Sequence, residues 1–395
     1  MSAKQDVVKK LMLSAMSLIL LAGSAEIYLR VRAASSQRSY TGRAAGLMAA
    51  SMKDMTARRI HEYFYTDKNG AIMIYPGAVG FHKSYDEPDK AVIIRINSLG
   101  LRGEEPDGRA RKRIAFIGDS IVFDGGVPLE KTFVRMLEDG INALAGGDDV
   151  PHADILNCGT SDSGIDQYYL RLKHHISRLE CDYIFLGFYL NDAVDPQGYL
   201  GSMSPGTLEK ILESGIISRL HIARKLKHIF RRLKYSSSND LKKRFRWAGR
   251  FNKKDYYRNK EDLVTLVSEA DMDWGAAWIP GTWEKVGYYL RMIKETVEDS
   301  GARLVIFSFP AEPQVNTNVD WEDLDYPQRM LAEKASEIGV VYHSLMPYIK
   351  KSAAGGIFAD QCHYTAAGNA LVARSLLDII TGNREDFPGL IPEKE

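Results

Sequence analysis

Three side chains in this sequence, one of them far from the other two, are of the types that acyl transfer requires. Ser120 stands in Gly118-Asp119-Ser120, directly after the apolar run Ile114 to Ile117. A serine on a tight turn after a buried strand is held clear of the backbone ladder. Its hydroxyl then lies at the strand's carboxyl end, the edge at which open α/β sheets keep their sites. A serine hydroxyl is a poor nucleophile at neutral pH. It needs a base, a group that orients the base, and donors for the developing oxyanion. Asp360-Gln361-Cys362-His363 places a carboxylate and an imidazole three residues apart. If that segment is a turn or the start of a helix, both lie on one side. Asp360 can then fix the tautomer of His363, and His363 can take the proton of Ser120.

Gly159 follows a second apolar run and offers a bare backbone N–H. Asn191 follows a third and offers a side-chain amide. Each of these residues also has a plain structural explanation. Ser120 and Asp360 can cap helices, Gly159 can make a turn, and Asn191 can satisfy loop backbone. Their joint occurrence at four strand ends of one sheet is what points to a site. Asp119 and Asp192 read as structural acids that bond loop backbone beside it. The remaining histidines, His61, His82, His152, His174, His175, His221, His228 and His343, read as surface or packing residues without comparable partners.

The elements that must position these groups follow from periodicity. Ile114–Ile117, Asp154–Asn157, Tyr183–Leu190, Arg303–Phe309 and Val340–Tyr342 read as strands. Tyr183–Leu190 is apolar on both faces, as a central parallel strand covered by helices must be. Thr132–Leu144, Ile165–Leu179, Trp283–Glu298, Tyr326–Ile338 and Ala366–Ile380 read as helices. The alternation predicts an α/β fold with a doubly wound, mostly parallel five-stranded sheet. Upstream, Ala44–Tyr63 reads as a helix. Ala71–Tyr75 and Ala91–Asn97 read as a small antiparallel β extension leading into the main sheet, with Ser98 to Arg102 as its exit loop. Arg102 reads as an anion-binding arginine or, the commoner case, as a structural one holding that loop through a salt bridge. A G-x-S-x-G elbow is missing, which disfavours an ordinary α/β-hydrolase, and no phosphate-binding Gly-Lys loop is present.

Gly-Asp-Ser after the first strand, a glycine after the second, Asn-Asp after the third and a late Asp-x-x-His together resemble the SGNH (GDSL-type) hydrolase family, over about Lys112 to Thr381. Asn97-Ser98-Leu99-Gly100-Leu101-Arg102-Gly103 resembles the lead-in of its bacterial, membrane-anchored branch. The resemblance implies a flavodoxin-like SGNH fold, with Ser120 as nucleophile, His363 as base and Asp360 as orienter. It also implies an oxyanion hole made by Gly159, Asn191 and the Ser120 amide. One departure is Asp162, where members of this branch often carry a second glycine.

The chain has 395 residues, 45% hydrophobic and 26% charged, which is the composition of a globular protein. Leu11 to Ala25 is uncharged and mostly apolar, flanked by Lys9, Lys10, Arg30 and Arg32. It reads as an uncleaved anchor or as a signal segment cleaved after Ala25. The branch resemblance favours an anchor with the enzyme outside the cytoplasm, in the periplasm or at the cell surface. The expected organisation is therefore a membrane or signal segment over 1–32, a linker, helix and β lead-in over 33–110, and a hydrolase domain over 111–395. That domain carries an insertion at about 195–280. Within the insertion, Ile216 to Lys234 reads as a basic amphipathic helix suited to an anionic membrane surface, an anionic substrate or simple packing on the parent domain. Sparse aromatic interleaving disfavours nucleic acid. Trp274, Trp278, Trp283, Tyr288 and Tyr289 can line a sugar or acyl pocket, though core packing is their commoner fate. The three cysteines, Cys158, Cys181 and Cys362, have no metal-ligand spacing; Cys158 and Cys362 flank the proposed site, where a bond between them is one reading and buried free thiols the commoner one. No metal or organic cofactor is implied.

The expected function is that of a serine-dependent acyl ester hydrolase or O-acyltransferase. It would act on an acylated cell-envelope or exported glycan, or on a lipid, through an acyl-serine. Two alternatives are a membrane-anchored protein that binds an anionic glycan or lipid without catalysis, and a soluble cytoplasmic esterase. Oligomeric state is not legible in the sequence.

Overall fold

The computed structural model describes residues 59–146, 152–161, 163–194, 245–352 and 355–391. The expected membrane segment, Asp162 and the basic helix Ile216–Lys234 lie outside these residues. Among the described residues no helix is long and apolar enough to cross a membrane.

The main sheet has five parallel strands, β5 (Lys112–Gly118), β6 (Ala153–Gly159), β7 (Tyr183–Phe188), β8 (Arg303–Ser308) and β9 (Val341–Ser344), in the order β6-β5-β7-β8-β9. Strands β6 and β7 are buried along their whole length, which parallel strands covered by helices on both faces require. Phe116, Phe185 and Phe307 lie side by side across β5, β7 and β8, and their rings meet at 5.2 to 6.1 Å. The strand order reverses direction between β5 and β7. That crevice, outside the carboxyl ends of the strands, is where a doubly wound sheet binds its ligand.

A short helix, α1 (Ser120–Phe123), leaves β5 at once. It is followed by α2 (Phe133–Leu144), which Thr132 caps by accepting from the Arg135 N–H, and which buries Phe133, Val134, Leu137 and Ile141. Next come α3 (Ile165–His174), α4 (Ala248–Lys253), α5 (Lys260–Glu269) and α6 (Thr282–Asp299), then α7 (Glu312–Val315), α8 (Tyr326–Glu337), α9 (Met346–Ser352) and α10 (Ala366–Gly382). Helix α3 stops at His174. The stretch Ile176–Leu179, read from the sequence as its continuation, forms a separate 3₁₀ turn that ends on Glu180 with φ 51°. Trp274, Trp283 and Tyr289 are core residues, as their size favours. Trp278 is half-buried and donates its indole N–H to the Asp323 carbonyl at 2.7 Å.

The N-terminal extension differs from the expectation. It is two antiparallel ribbons, β1 (Phe64–Thr66) with β2 (Ile72–Ile74) and β3 (Val79–Lys83) with β4 (Ala91–Arg95). The two strands legible in the sequence therefore do not pair with each other. Each pairs with a partner of equal length whose alternation is broken by a polar residue or a glycine. The end of the expected helix Ala44–Tyr63 is a 3₁₀ turn over Ile60–Tyr63. The extension meets the sheet at Arg102, which bridges to Asn157 on β6.

Candidate active site

Asp119 caps α1, and its carboxylate accepts from the Ile121 N–H at 2.9 Å. That leaves Ser120 as the first helical residue, part-exposed, with its side chain at the open end of β5. Two contacts hold α1 in place. Asn157 donates to the Val122 carbonyl at 2.7 Å. Gly159 runs so close beneath α1 that a Cβ on it would stand 2.1 Å from the Phe123 nitrogen, so only glycine fits.

Asp360 and His363 lie in a turn closed by the Ala359 N–H to the His363 carbonyl at 2.8 Å. One oxygen of Asp360 accepts the backbone N–H groups of Cys362 and His363 at 2.9 and 2.8 Å. The other oxygen is 2.8 Å from His363 Nδ1, and His363 Nε2 is 2.9 Å from Ser120 Oγ. The three groups named from the sequence thus form one hydrogen-bonded line, drawn from β5 and from the loop after α9. With Nδ1 protonated toward Asp360, Nε2 is the acceptor for the Ser120 proton.

The charges are consistent with that tautomer. Burial raises the Asp360 carboxyl, but the hydrogen bonds and charge of His363 outweigh it and bring the carboxyl down to about 2. Burial lowers the His363 imidazole, yet Asp360 by hydrogen bond and charge, with Asp119 and Asp124 behind it, leaves it raised. Asp119, fully buried, is pushed up to about 6 by burial, against the Ile121 N–H and His363. Asp124 is pushed up to about 7 by burial, against Arg102 and His363.

The expected oxyanion donors are placed less uniformly. As the first residue of α1, Ser120 has an N–H with no partner inside the helix. The side-chain amide of Asn191 faces Asp119, and its oxygen is buried without a partner among the described residues. The Gly159 N–H donates to Asn157 Oδ1 at 3.0 Å and is therefore engaged rather than open. Asp192 takes the Tyr189 N–H at 2.8 Å and the Tyr168 hydroxyl at 2.6 Å, so it holds the loop that carries Asn191.

Several contacts around the site were not legible in the sequence. Tyr85, in the loop between β3 and β4, stacks on His363 with ring centroids 5.1 Å apart. Arg102, fully buried, donates to the carbonyls of Phe123, Asp124 and Val127, so it holds the turn after α1 through backbone oxygens rather than through a salt bridge. Arg171 is buried and donates to the Cys158 carbonyl at the end of β6. Cys362 Sγ lies 3.3 Å from His363 Nδ1, and all three cysteines are free thiols. Two histidines read as unpartnered do face carboxylates, His175 with Asp67 at 2.8 Å and His343 with Asp386 at 3.1 Å. Both pairs tie chain segments together away from Ser120.

No family model and no curated protein matches the chain. Solved structures to which it is similar include an acetylxylan esterase from Geobacillus stearothermophilus, at 13% identity and TM-score 0.39, covering 72% of this chain and 98% of that one. A putative lipolytic protein of the G-D-S-L family from Desulfitobacterium hafniense is 9% identical, with TM-score 0.36 and coverage of 68% and 99%. An alpha/beta hydrolase from the metagenome of Lake Arreo is 13% identical, with TM-score 0.36 and coverage of 69% and 96%. Taken alone, the topology and geometry define a doubly wound α/β protein whose serine, histidine and aspartate meet at the switch point of the sheet.

Proposed function

We propose that this chain is a serine-dependent acyl enzyme of the SGNH type, cleaving an acyl ester through an acyl-serine. The observation that carries the reading is the line Ser120 Oγ, His363, Asp360, with both contacts of the imidazole below 3 Å. His363 Nε2 takes the Ser120 proton as Oγ forms a bond to the ester carbonyl carbon. The Ser120 N–H and the Asn191 amide are the donors for the oxyanion. Gly159 joins them only if its N–H is released from Asn157. Collapse breaks the bond to the leaving alcohol, whose oxygen takes the proton from His363. Water or an acceptor hydroxyl then attacks the acyl-serine, gives its proton to Nε2, and frees Ser120. Transfer to a sugar hydroxyl uses the same steps and makes an O-acyltransferase.

A glycan of the cell envelope or an exported glycan, with O-acetyl groups, is the substrate class favoured by the apolar N-terminal segment together with the family resemblance. The same segment is the basis for placing the catalytic domain outside the cytoplasm. The test is turnover of a short-chain aryl acetate, with and without a glycan acceptor, by the protein and by Ser120→Ala. We expect turnover that Ser120→Ala lowers by at least about a thousandfold. Acetyl transfer to the acceptor would select transferase over esterase. Equal turnover by both proteins would refute the reading and leave a binding protein on the same fold in front.

A further inference from the structure

From the ring of Tyr85 on the face of His363, we infer that Tyr85 is a positioning residue for the imidazole, supplied by the N-terminal ribbon to the active site of the main domain. This rests on the acyl-enzyme reading above. Both hydrogen bonds of His363 lie in the plane of its ring, to Ser120 and to Asp360. They are made along the ring and do not close its face. The face is taken by Tyr85, at 5.1 Å between centroids and 28° between planes. That stacking blocks rotation of the imidazole out of the Ser120–Asp360 line, and it places aromatic electron density against the cation that forms when Nε2 takes the proton.

The ribbon loop is constructed to hold this ring. The Tyr85 N–H donates to the Gly126 carbonyl at 2.8 Å, on the turn after α1. Gly126 has no side chain where one would collide, since a Cβ there would stand 2.2 Å from Tyr85 ring atoms. The edge of His82 supports the ring from β3, at 5.5 Å and 78°. One residue on, the Asp86 carboxylate accepts the Ala366 N–H at 3.1 and 3.2 Å, where α10 begins just past His363. The loop is thereby tied to both segments that carry the serine and the histidine. A residue serving only the ribbon's own packing would not need these two attachments.

The test compares Tyr85→Leu and Tyr85→Phe with the native protein. The first readout is the rate of Ser120 labelling by a fluorophosphonate, which depends on the serine–histidine contact and not on an acyl pocket. The second is the thermal midpoint. We expect Tyr85→Leu to slow labelling at least tenfold with the midpoint nearly unchanged, and Tyr85→Phe, which keeps the ring, to stay within about threefold of native. Native rates in Tyr85→Leu, or equal damage in Tyr85→Phe, would overturn the inference. If Tyr85→Leu unfolds, Gly126→Ala decides, because it displaces the ring with Tyr85 intact and should give the same loss of labelling. A fully labelled Gly126→Ala protein would overturn the inference. Should the native protein fail to label, the acyl-enzyme reading falls separately, and the proton signal of His363 Nδ1–H decides for Tyr85. We expect that signal to persist in Tyr85→Phe and to be lost to exchange in Tyr85→Leu. Persistence in Tyr85→Leu would overturn the inference.

Discussion

Asp360 and His363 stabilise opposite ionisation states in each other, and this sets the pH dependence of the site. His363 must be neutral at Nε2 to accept a proton, and its imidazole is raised above the ordinary value of 6.5. The acid limb of kcat/KM is therefore expected above that value. Asp360→Asn removes the hydrogen bond and charge that raise it, and burial, which lowers it, remains. A pH profile of the variant should show the limb moved to lower pH. Its rate at the plateau should fall by about 10⁴, the cost of a wrongly held imidazole tautomer in serine proteases. An unmoved limb in Asp360→Asn would remove Asp360 from the account. The residues of this line were legible in the sequence because serine, histidine and aspartate have few other reasons to stand at strand ends together. Tyr85 was not, because nothing local in Ser84-Tyr85-Asp86 says which distant ring it will cover.

At the scale of elements, the site depends on how α1 is pinned to the sheet. Arg102→Met would leave the carbonyls of Phe123, Asp124 and Val127 without their buried donor. Each orphaned group costs about 1 to 3 kcal/mol, so denaturant unfolding should show a loss of several kcal/mol, and turnover should fall with it. A loss below about 1 kcal/mol would show that water replaces the guanidinium. Gly159→Ala puts a methyl group 2.1 Å from the Phe123 nitrogen and must displace α1 or β6. The expected result is lower stability together with slower labelling of Ser120, whereas native labelling would mean that α1 does not set the serine's position. The five parallel strands were legible because their apolar runs are continuous. The ribbon pairing was not, because β1 and β3 mix aromatic, polar and glycine residues and are fixed by tertiary contact instead.

For the whole molecule, four buried carboxyls dominate the dependence of stability on pH. Asp119 is pushed up to about 6, Asp124 and Glu138 to about 7, and Asp192 well above the ordinary carboxyl value, each by burial first. Their folded values exceed their unfolded ones, so between about pH 4 and 7 the folded state binds more protons. Stability therefore falls as pH rises through that window. The raised His363 acts in the same direction, since its contribution is complete below about 6.5 and is lost as pH passes its folded value. Asp360 is the opposite case, contributing above about 4 and losing that contribution only toward about 2. Thermal midpoints are expected to be higher near pH 5 than near pH 8, and Asp124→Asn should flatten the difference. A midpoint that rises from pH 5 to 8 would contradict this assignment of buried charge.

The central claim is that Ser120 carries the acyl group, and the most direct measurement is the mass of the protein during turnover of an acyl ester, with the added group mapped to a peptide. The account predicts a single acyl adduct on Ser120, formed by the native protein, missing in Ser120→Ala and strongly reduced in His363→Ala. An adduct on another residue, or product release from Ser120→Ala at the native rate, would contradict it.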